Sequence, residues 1–570
     1  MPWRHVAERM NDVIDSKPDQ SRMEMESAGL FKRIFLPERA TLAAILYEHR
    51  EISYGELREQ VLLAAGSLRG LGIAEGDRVA ILLADSPEFI ASFVAIISLG
   101  AIAVPINLAL RRDDQLFILK DCGACAAILE AATAKTLFED SAAPANLRDL
   151  IVLRRGPDES IGEIPGLDIV DWDKARRSPF EAEQQDAFDG RASETSTDAF
   201  ILYTSGSTGE PKGAVHTQAD IFYTNETYCR EVLKLRDGDR LFSSSRLPFA
   251  YGLGNAFSFP LLNGFTTVLC REKPTAEVVS RVFSDYRPTI FFGVPVVYRM
   301  LLEHHRSGKT LDTSSLRFCV SAGEALPAHL GEDWQETFGV EVLDGIGSTE
   351  MLHMFMSNHA GDVRYGSSGK LLRGYQARLI DHEGVSTQAG EVGNLWIRGG
   401  SAALRYWQRP EVSAETFVDG WTRTGDLYRC DADGFWWHMG RSDDCFKPTG
   451  QWVSPIEVEG ALLRHEGVRA AAVVEGFDRD GLSCVCAFVV SERQNDSPIL
   501  EDELRARCET ALPRFKQPRR YIFVDELPYT ATGKVQRFKL REELRAEPSP
   551  SGRREIENHE RKKSPRNVRA

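Results

Sequence analysis

The sequence predicts an α/β protein: helix-covered parallel sheets first, then a small β unit, then a smaller α+β unit. Short β-branched runs alternate with helical patterns from about residue 42 to residue 321, which is typical of parallel sheets covered by helices. Between about residues 374 and 423 the pattern changes to short segments with frequent turns, which indicates a mainly β unit. A chain of 570 residues is also long enough for several compact units.

Each predicted strand is a short apolar run bounded by turn residues. In chain order these strands are Arg78–Ala84, Ile102–Val104, Ala126–Leu129, Asp149–Val152, Thr266–Cys270, Ile290–Gly293, Arg317–Ser321, Tyr375–Asp381, Gly393–Arg398, Ala470–Glu475 and Cys484–Val490, and Glu501–Leu512 is a predicted helix. We place the domain boundaries at an N-terminal extension (1–40), a large domain (41–441), a small domain (442–545) and a disordered tail (546–570), which is charged and almost free of apolar residues.

One uncharged stretch, Phe89–Leu110, is long enough to cross a bilayer. Gly100 and Pro105 interrupt it, and neighbouring runs such as Val79–Ala84 indicate buried strands. We therefore predict a buried helix that ends at Gly100, a strand from Ala101, and no membrane span.

The amino-acid composition excludes several classes of protein. Hydrophobic residues make up 42% and charged residues 27%, a globular balance that excludes wholesale disorder, collagen and coiled coil. The net charge of −15 argues against sequence-independent binding to nucleic acid. Ten irregularly spaced cysteines do not form a disulfide framework, and Met1–Gln20 shows no signal peptide, so we expect a reduced, cytoplasmic setting.

The strongest local signal is Ile201–Gly213, ILYTSGSTGEPKG. Glycines let backbone N–H groups approach an anion, hydroxyls add donors, and Lys212 supplies a positive charge. The spacing is not that of a Walker loop, because no Gly-Lys-Ser/Thr follows a glycine at the required distance. We interpret the segment as a phosphate-binding loop.

This loop resembles that of the adenylate-forming superfamily of acyl-CoA synthetases, peptide-synthetase adenylation domains and luciferases. Further segments resemble the superfamily's other motifs in its order. They are Ser321–Glu324 and Asp344–Glu350 for adenine, Thr422–Asp426 for ribose, Gly440–Asp443 for the hinge, Lys447–Gly450 through Ile456–Glu459 for the loop of the second half-reaction, and Pro528–Lys534 for the catalytic lysine. The match spans about residues 40 to 545.

The resemblance implies ATP and Mg²⁺ as cofactors and CoA as co-substrate. It also implies a mobile C-terminal domain. It assigns to ATP the residues Thr204, Ser205, Gly206, Ser207, Thr208, Gly209, Lys212, Ala322, Gly323, Glu324, Asp344, Gly345, Ile346, Asp426 and Arg441. Lys534, Thr349 and Glu350 are the implied catalytic residues, with Glu350 as the Mg²⁺ ligand because phosphate charge must be stabilised. Gly450 belongs to the implied CoA-step loop and Asp443 is the implied hinge.

Within the superfamily, four segments are similar to the benzoate-CoA ligase group: Ala214–Thr217, Pro248–Asn255, Ser321–Pro327 and Gly345–His353. That similarity implies a small aromatic carboxylate as partner. The expected substrate wall is Phe249, Ala250, Tyr251, Gly252 and Ile346, since apolar walls with few polar groups suit an aromatic acid. Glycine in this wall is expected to admit a flat ring. His353 either faces a ring substituent or is a packed core histidine.

Several alternatives stay open at this point. The acid is benzoate, 2-aminobenzoate, a hydroxybenzoate, or another small, medium-chain or alicyclic acid, and the acceptor is CoA or a separate carrier protein. A non-catalytic nucleotide sensor is disfavoured, because such a protein has no need for Lys534, Glu350 and Asp426. The sequence leaves monomer and homodimer open.

Overall fold

The computed structural model describes residues 28–139, 142–156, 159, 161–175, 196–204, 210–381, 383–388, 390–442, 444–446, 448, 451, 453–478, 482–491, 497–529 and 535–546. Its strands are β1 (Ala43–Tyr47), β2 (Arg50–Ser53), β3 (Arg78–Leu82), β4 (Ile102–Pro105), β5 (Ala126–Glu130), β6 (Asp149–Leu153), β7 (Asp168–Asp171), β8 (Phe200–Thr204), β9 (Lys212–His216), β10 (Arg240–Ser243), β11 (Thr266–Val268), β12 (Ile290–Gly293), β13 (Phe318–Ser321), β14 (Val342–Gly347), β15 (Met354–Ser357), β16 (Lys370–Leu371), β17 (Gln376–Ile380), β18 (Gly393–Arg398), β19 (Arg405–Tyr406), β20 (Phe417–Val418), β21 (Trp421–Cys430), β22 (Trp436–Arg441), β23 (Val468–Phe477), β24 (Ser483–Ser491) and β25 (Arg520–Phe523).

The α-helices are α1 (Leu30–Ile34), α2 (Tyr54–Gly70), α3 (Pro87–Ser98), α4 (Arg112–Asp121), α5 (Ala131–Phe138), α6 (Trp172–Ala175), α7 (Gln218–Thr224), α8 (Ala250–Leu253), α9 (Phe259–Leu262), α10 (Ala276–Tyr286), α11 (Pro295–Arg306), α12 (Ala328–Phe338), α13 (Pro410–Thr416), α14 (Pro455–Leu463), α15 (Ser497–Ala511) and α16 (Arg537–Ala546). Two π-helical segments, Asn225–Leu233 and Gly254–Ser258, continue α7 and α8, and Pro37–Arg39, Thr349–Met351 and Arg514–Lys516 are 3₁₀ turns.

Two large sheets form the body of the molecule, which confirms the predicted α/β class. One has eight strands in the order β19-β9-β8-β4-β3-β5-β6-β7, and the other has nine in the order β16-β15-β14-β13-β12-β10-β11-β1-β2. Their central strands run parallel. Antiparallel strands close both edges of the nine-stranded sheet and the β19 edge of the eight-stranded sheet, whose other edge strand, β7, runs parallel to β6. Helices cover the parallel part because each crossover connection must return along a face of the sheet.

The two smaller units have their own sheets. The β unit is a five-stranded antiparallel sheet of β17, β18, β20, β21 and β22. The C-terminal unit pairs β23 antiparallel with β24 and β24 parallel with β25, and helices α14, α15 and α16 lie on it. Ion pairs join these elements, because Arg537 at the start of α16 bonds both carboxylate oxygens of Glu459 in α14.

The uncharged stretch behaves as predicted. It forms α3, which ends at Ser98, and strand β4 begins at Ile102, with the turn made by Gly100 at φ +78°. Phe89, Phe93 and Val94 are fully buried in the core. Among the described residues, no helix combines the length and apolar character that crossing a membrane requires.

The predicted N-terminal extension, residues 1–40, needs a correction over its described part. Leu30, Phe31 and Ile34 of α1 are buried in the main core of the large domain, and the backbone N–H of Leu30 donates to Gln218 of α7 at 2.9 Å. The core of this domain therefore begins before residue 41. Of the predicted tail, residues 546–570, Ala546 is the last residue of helix α16 and the remainder lies outside the described residues.

Candidate active site

The phosphate-loop segment connects two antiparallel strands of the eight-stranded sheet. Strand β8 ends at Thr204 and β9 begins at Lys212, and these two residues are direct partners in the ladder. Ser205, Gly206, Ser207, Thr208 and Gly209 lie outside the described residues. Gly213 has no room for a side chain, since a Cβ there would lie 2.6 Å from Ile201.

Thr349 and Glu350 lie in a 3₁₀ turn that follows β14. The carbonyl oxygen of Thr349 lies 2.8 Å from Nε2 of His216, and the carbonyl of Glu350 accepts from the backbone N–H of Ala403 at 2.7 Å. Nδ1 of the buried His216 lies 2.7 Å from the carboxylate of Asp220. The two consecutive carbonyl groups of this turn are thus contacted by two separate parts of the chain, strand β9 and the loop before β19.

The side chain of Glu350 is held by a hydrogen bond from Tyr406. The hydroxyl of Tyr406 donates to Oε1 of Glu350 at 2.7 Å. Burial, and next the charge of Glu350, raise the pKa of Tyr406, so the phenol keeps its proton and acts as a donor. The Lys212 ammonium lies 5.6 Å from the centre of the Tyr406 ring.

A magnesium ion that is coordinated jointly by a protein carboxylate and by substrate phosphates fits this arrangement. The described residues contain no cluster of three or more His, Cys, Asp and Glu that would enclose a metal. Mg²⁺ is usually held by one or two carboxylates together with substrate phosphates. The half-buried Glu350 would be one such carboxylate.

The residues predicted to contact adenine lie at the ends of neighbouring parallel strands. Ala322 and Gly323 follow β13, where Ala322 is buried and Gly323 is exposed with φ +90°. Asp344 of β14 is 2% exposed, and its Oδ2 accepts from the N–H of Leu326 at 3.3 Å. Burial raises the pKa of Asp344 well above its usual value, and its Oδ1 has no hydrogen-bond partner among the described residues.

The three remaining adenine-motif residues differ in their surroundings. Glu324 is exposed beyond the end of β13. A Cβ on Gly345 would lie 2.7 Å from the carbonyl oxygen of Met356, so the close pairing of β14 with β15 requires glycine there. Ile346 is partly buried and packs against the apolar cluster that contains Tyr228, Phe259 and Met354.

The predicted ribose site lies where β21 pairs with β22, because Asp426 stands directly opposite Arg441 in the ladder. Oδ1 of Asp426 lies 3.3 Å from Nη1 of Arg441 and 3.4 Å from Nε2 of His438. Arg441 also donates to the carbonyl of Thr424 at 2.8 Å, while Gly425 takes φ +73°. Arg441 therefore fixes the segment of β21 that carries Asp426.

The predicted substrate wall is apolar. Phe249 precedes α8, Ala250 is buried at its start, and the hydroxyl of the partly buried Tyr251 donates to the carbonyls of Val320 and Gly293 at 3.2 and 3.3 Å. Tyr251 thereby anchors α8 to the carboxyl ends of β12 and β13.

Gly252 requires a different explanation from the predicted one. We expected its missing side chain to leave space for a flat ring. A Cβ on Gly252 would lie 2.0 Å from the backbone oxygen of Arg246 and 2.6 Å from that of Ser245. The space is filled by backbone, and this glycine allows α8 to pack on the preceding loop.

His353 fits the second of its two predicted roles, a packed core histidine. It is 3% exposed, and its ring lies 4.7 Å from that of Phe259 and 4.8 Å from that of Tyr228. Its Nε2 lies 3.2 Å from Oδ1 of Asn255. Burial lowers the pKa of His353 to about 3, so the imidazole is neutral at physiological pH.

Lys534, Asp443 and Gly450 lie outside the described residues, but the segments beside them are placed. Tyr529 and Val535 form an antiparallel bridge across residues 530–534. Burial raises the pKa of Tyr529. Asp444, directly after the hinge, accepts from Arg541 at 3.0 Å and from Arg537 at 3.4 Å.

Sequence reasoning gave no role to three residues that contact the site. Tyr406 and His216 hydrogen-bond to Glu350 and Thr349 over separations of 56 and 133 residues, and Nε2 of His438 lies 3.4 Å from Oδ1 of Asp426. His216 belongs to a segment that carried the resemblance, but only the folded chain shows what its ring contacts. For Tyr406 the one sequence signal is an aromatic pair, Tyr406-Trp407, in a loop region.

Comparisons with known proteins agree with this geometry. A family model described as AMP-binding enzyme matches residues 37–407, and one described as AMP-binding enzyme C-terminal domain matches residues 457–534. The chain is 40% identical over 515 residues to the benzoate–CoA ligase of Thauera aromatica, covering 90% of this chain and 94% of that protein.

Two solved structures have the same fold over most of the chain. The anthranilate CoA ligase AuaEII in complex with anthranoyl-AMP matches with a TM-score of 0.82 and 38% identity, covering 90% of this chain and 96% of that one. A benzoate CoA ligase from Burkholderia xenovorans LB400 matches with a TM-score of 0.77 and 37% identity, covering 89% and 97%.

Proposed function

The chain belongs to the family of AMP-binding enzymes, and from this premise we propose that its substrate is benzoate or a monosubstituted benzoate. It is an AMP-forming aryl-CoA ligase. In the first half-reaction a carboxylate oxygen attacks the α-phosphorus of ATP and pyrophosphate leaves. In the second, the CoA thiol attacks the acyl carbon of the aroyl-adenylate, a thioester C–S bond forms, and AMP leaves with the electrons of the acyl C–O bond.

The residue roles in the first step follow from where charge develops. We assign phosphate binding to the 204–209 loop and Lys212, and ribose binding to Asp426. When bound, Mg²⁺ offsets negative charge on the phosphate oxygens, and Glu350 is the residue that would hold it. Thr349 and Thr208 are the proposed hydroxyl donors to phosphate. Lys534 is the proposed bridge between the substrate carboxylate and the α-phosphate, where a fixed positive charge stabilises the transition state.

The observation that carries the substrate proposal is the side-chain chemistry of the predicted wall, Phe249, Ala250, Tyr251 and Ile346. It is apolar and aromatic, and Phe249–Gly252 contains no acidic side chain that would pair with the ammonium group of an amino acid. Such a wall favours a flat apolar acid over an amino acid. The similarity to benzoate and anthranilate CoA ligases supports the same class.

A panel of about a dozen aryl and alkyl acids tests the proposal, scored for pyrophosphate release with and without CoA and for thioester formation. We expect the highest kcat/KM for benzoate or a monosubstituted benzoate, above C8–C12 fatty acids and free amino acids. Replacing Ala250 by Leu should lower kcat/KM for the aromatic acid by roughly tenfold or more, since a bulky side chain costs about 1–3 kcal/mol in specificity. A tenfold preference for a long-chain acid would contradict the proposal.

The same panel separates the alternatives. Preference for 2-aminobenzoate or a hydroxybenzoate would mean that the substrate is another acid of the proposed class. The solved anthranilate ligase makes 2-aminobenzoate the first of these acids to test. Pyrophosphate release that CoA does not accelerate would indicate a carrier protein as the acceptor. We also propose that the protein is located in the cytoplasm, because all ten cysteines of the chain are free thiols.

A further inference from the structure

Tyr406 connects Glu350 with the strand that leaves the phosphate loop. Its hydroxyl donates to Oε1 of Glu350 at 2.7 Å, and its ring lies 5.6 Å from the ammonium of Lys212. We propose that Tyr406 is a positioning residue that orients the Glu350 carboxylate for the metal–ATP complex. This inference rests on the proposed function, in which Glu350 holds the metal.

The tyrosine is fixed well enough for this role. Strand β19 pairs Tyr406 with Ala214 of β9, so its backbone belongs to the eight-stranded sheet. Its N–H donates to Oγ of Ser413 at 2.9 Å, and its ring packs on Phe417 at 5.5 Å. Tyr406 is 6% exposed, so the hydroxyl has little access to competing water. Side chains locked by packing hold a site more accurately than mobile ones.

The backbone beneath the carboxylate is fixed separately. His216 contacts the carbonyl of Thr349, and Ala403 donates to that of Glu350. With the backbone held, the remaining freedom of Glu350 lies in its own side-chain torsions. A hydrogen bond to one carboxylate oxygen restricts those torsions and leaves Oε2 without a hydrogen bond from the described residues. A carboxylate already oriented in this way loses less entropy when it binds a ligand.

Tyr406→Phe is the direct test, because it keeps the ring and removes only the hydroxyl. The readout is the Kd of ATP measured by calorimetry without acid or CoA, once with saturating Mg²⁺ and once with EDTA. We expect the Kd with Mg²⁺ to rise about tenfold or more, the size of a lost hydrogen bond to a charged group, and the Kd with EDTA to change by less than about twofold.

The matched control is Tyr54→Phe. Tyr54 is a buried tyrosine whose hydroxyl donates to the carbonyl of Phe265 at 2.8 Å and shares no partner with Glu350 among the described contacts. It should leave both values of Kd unchanged. If Tyr406 only supports the fold, the melting temperature falls while the two Kd values change together or not at all, and that result overturns the inference.

Glu350→Gln and the double variant separate this inference from the proposed function. If Glu350→Gln leaves the Mg²⁺-dependent part of ATP affinity intact, the metal role of Glu350 is wrong, whatever Tyr406 does. If Glu350→Gln removes that part, adding Tyr406→Phe should cause no further loss, since both changes act on one interaction. Two losses that simply add would mean that Tyr406 acts elsewhere.

Discussion

In the proposed first half-reaction, Glu350 is the residue expected to hold the metal. We predict that Glu350→Gln lowers the rate of adenylate formation by about 100-fold or more, because the neutral amide weakens metal binding and the stabilisation of phosphate charge. Pyrophosphate release measured over a range of Mg²⁺ concentrations checks this, and half-saturation should move to higher Mg²⁺. An unchanged Mg²⁺ dependence with a near-normal rate would rule the role out.

His353 provides a test of stability against pH. Its pKa in the folded protein is about 3, against 6.5 for the unperturbed group, so the unfolded chain binds a proton that the folded protein does not. The stability associated with neutral His353 is therefore complete above about pH 6.5 and decreases as the pH falls toward 3, by at most about 1.4 kcal/mol per pH unit.

Urea unfolding of the wild type and of His353→Gln at pH 7, 6 and 5 isolates this contribution. The difference in free energy of unfolding between the two proteins should shrink at each lower pH, because glutamine does not titrate. A constant difference would mean that His353 is charged, or accessible, in the folded protein.

Among the helices, the packing of α8 on the loop before it depends on Gly252. Gly252→Ala places a Cβ 2.0 Å from a backbone oxygen, which cannot move as a side chain does. We predict a loss of about 1–3 kcal/mol or more in stability, together with a higher KM for the aromatic acid, since α8 begins with the substrate wall. Thermal unfolding and steady-state kinetics measure both.

Gly460 is the matched control. It lies inside α14 without a positive φ, and a Cβ added to it would have no described atom within 4 Å. Gly460→Ala should therefore stabilise the protein, by at most about 1 kcal/mol, through helix propensity alone. If both alanine variants shift the melting temperature equally, the close approach at Gly252 does not determine its stability.

The helices and strands differ in how far a local pattern predicts them. Strand β4 and helix α3 follow from apolar runs and from Gly100, because burial and turn chemistry are properties of neighbouring residues. The role of Gly252 did not follow, since a glycine in a sequence indicates a missing side chain but not which atoms occupy the space. The contacts of Tyr406 and His216 also needed the fold, because their partners are 56 and 133 residues away.

For the molecule as a whole, we expect the two half-reactions to use opposite faces of the C-terminal unit. Lys534→Ala should abolish adenylate formation while a supplied aroyl-adenylate is still converted to the CoA thioester. Gly450→Leu should do the reverse, because a side chain blocks the approach of the CoA thiol. Each half-reaction is assayed separately by pyrophosphate release and by thioester formation.

The hinge variant completes this test. Asp443→Pro fixes φ near −65° and should trap one arrangement, which spares only one half-reaction. The ion pairs of Arg537 with Asp444 and Glu459 favour movement of the unit as one body. Equal loss of both half-reactions in all three variants, with lowered melting temperatures, would mean that these residues only stabilise the fold.

The pairing of β19 with β9 has a consequence for how the protein forms. Arg405 and Val215 are partners in one ladder, and the Thr349–Glu350 turn lies between them in the chain. During synthesis, a nascent chain that stops before residue 405 lacks the edge strand of the eight-stranded sheet and the hydroxyl that reaches Glu350. Closing so long a loop is slow, so nucleotide present in the cell meets a complete pocket only late in folding, and its binding then stabilises the finished domain rather than any shorter intermediate.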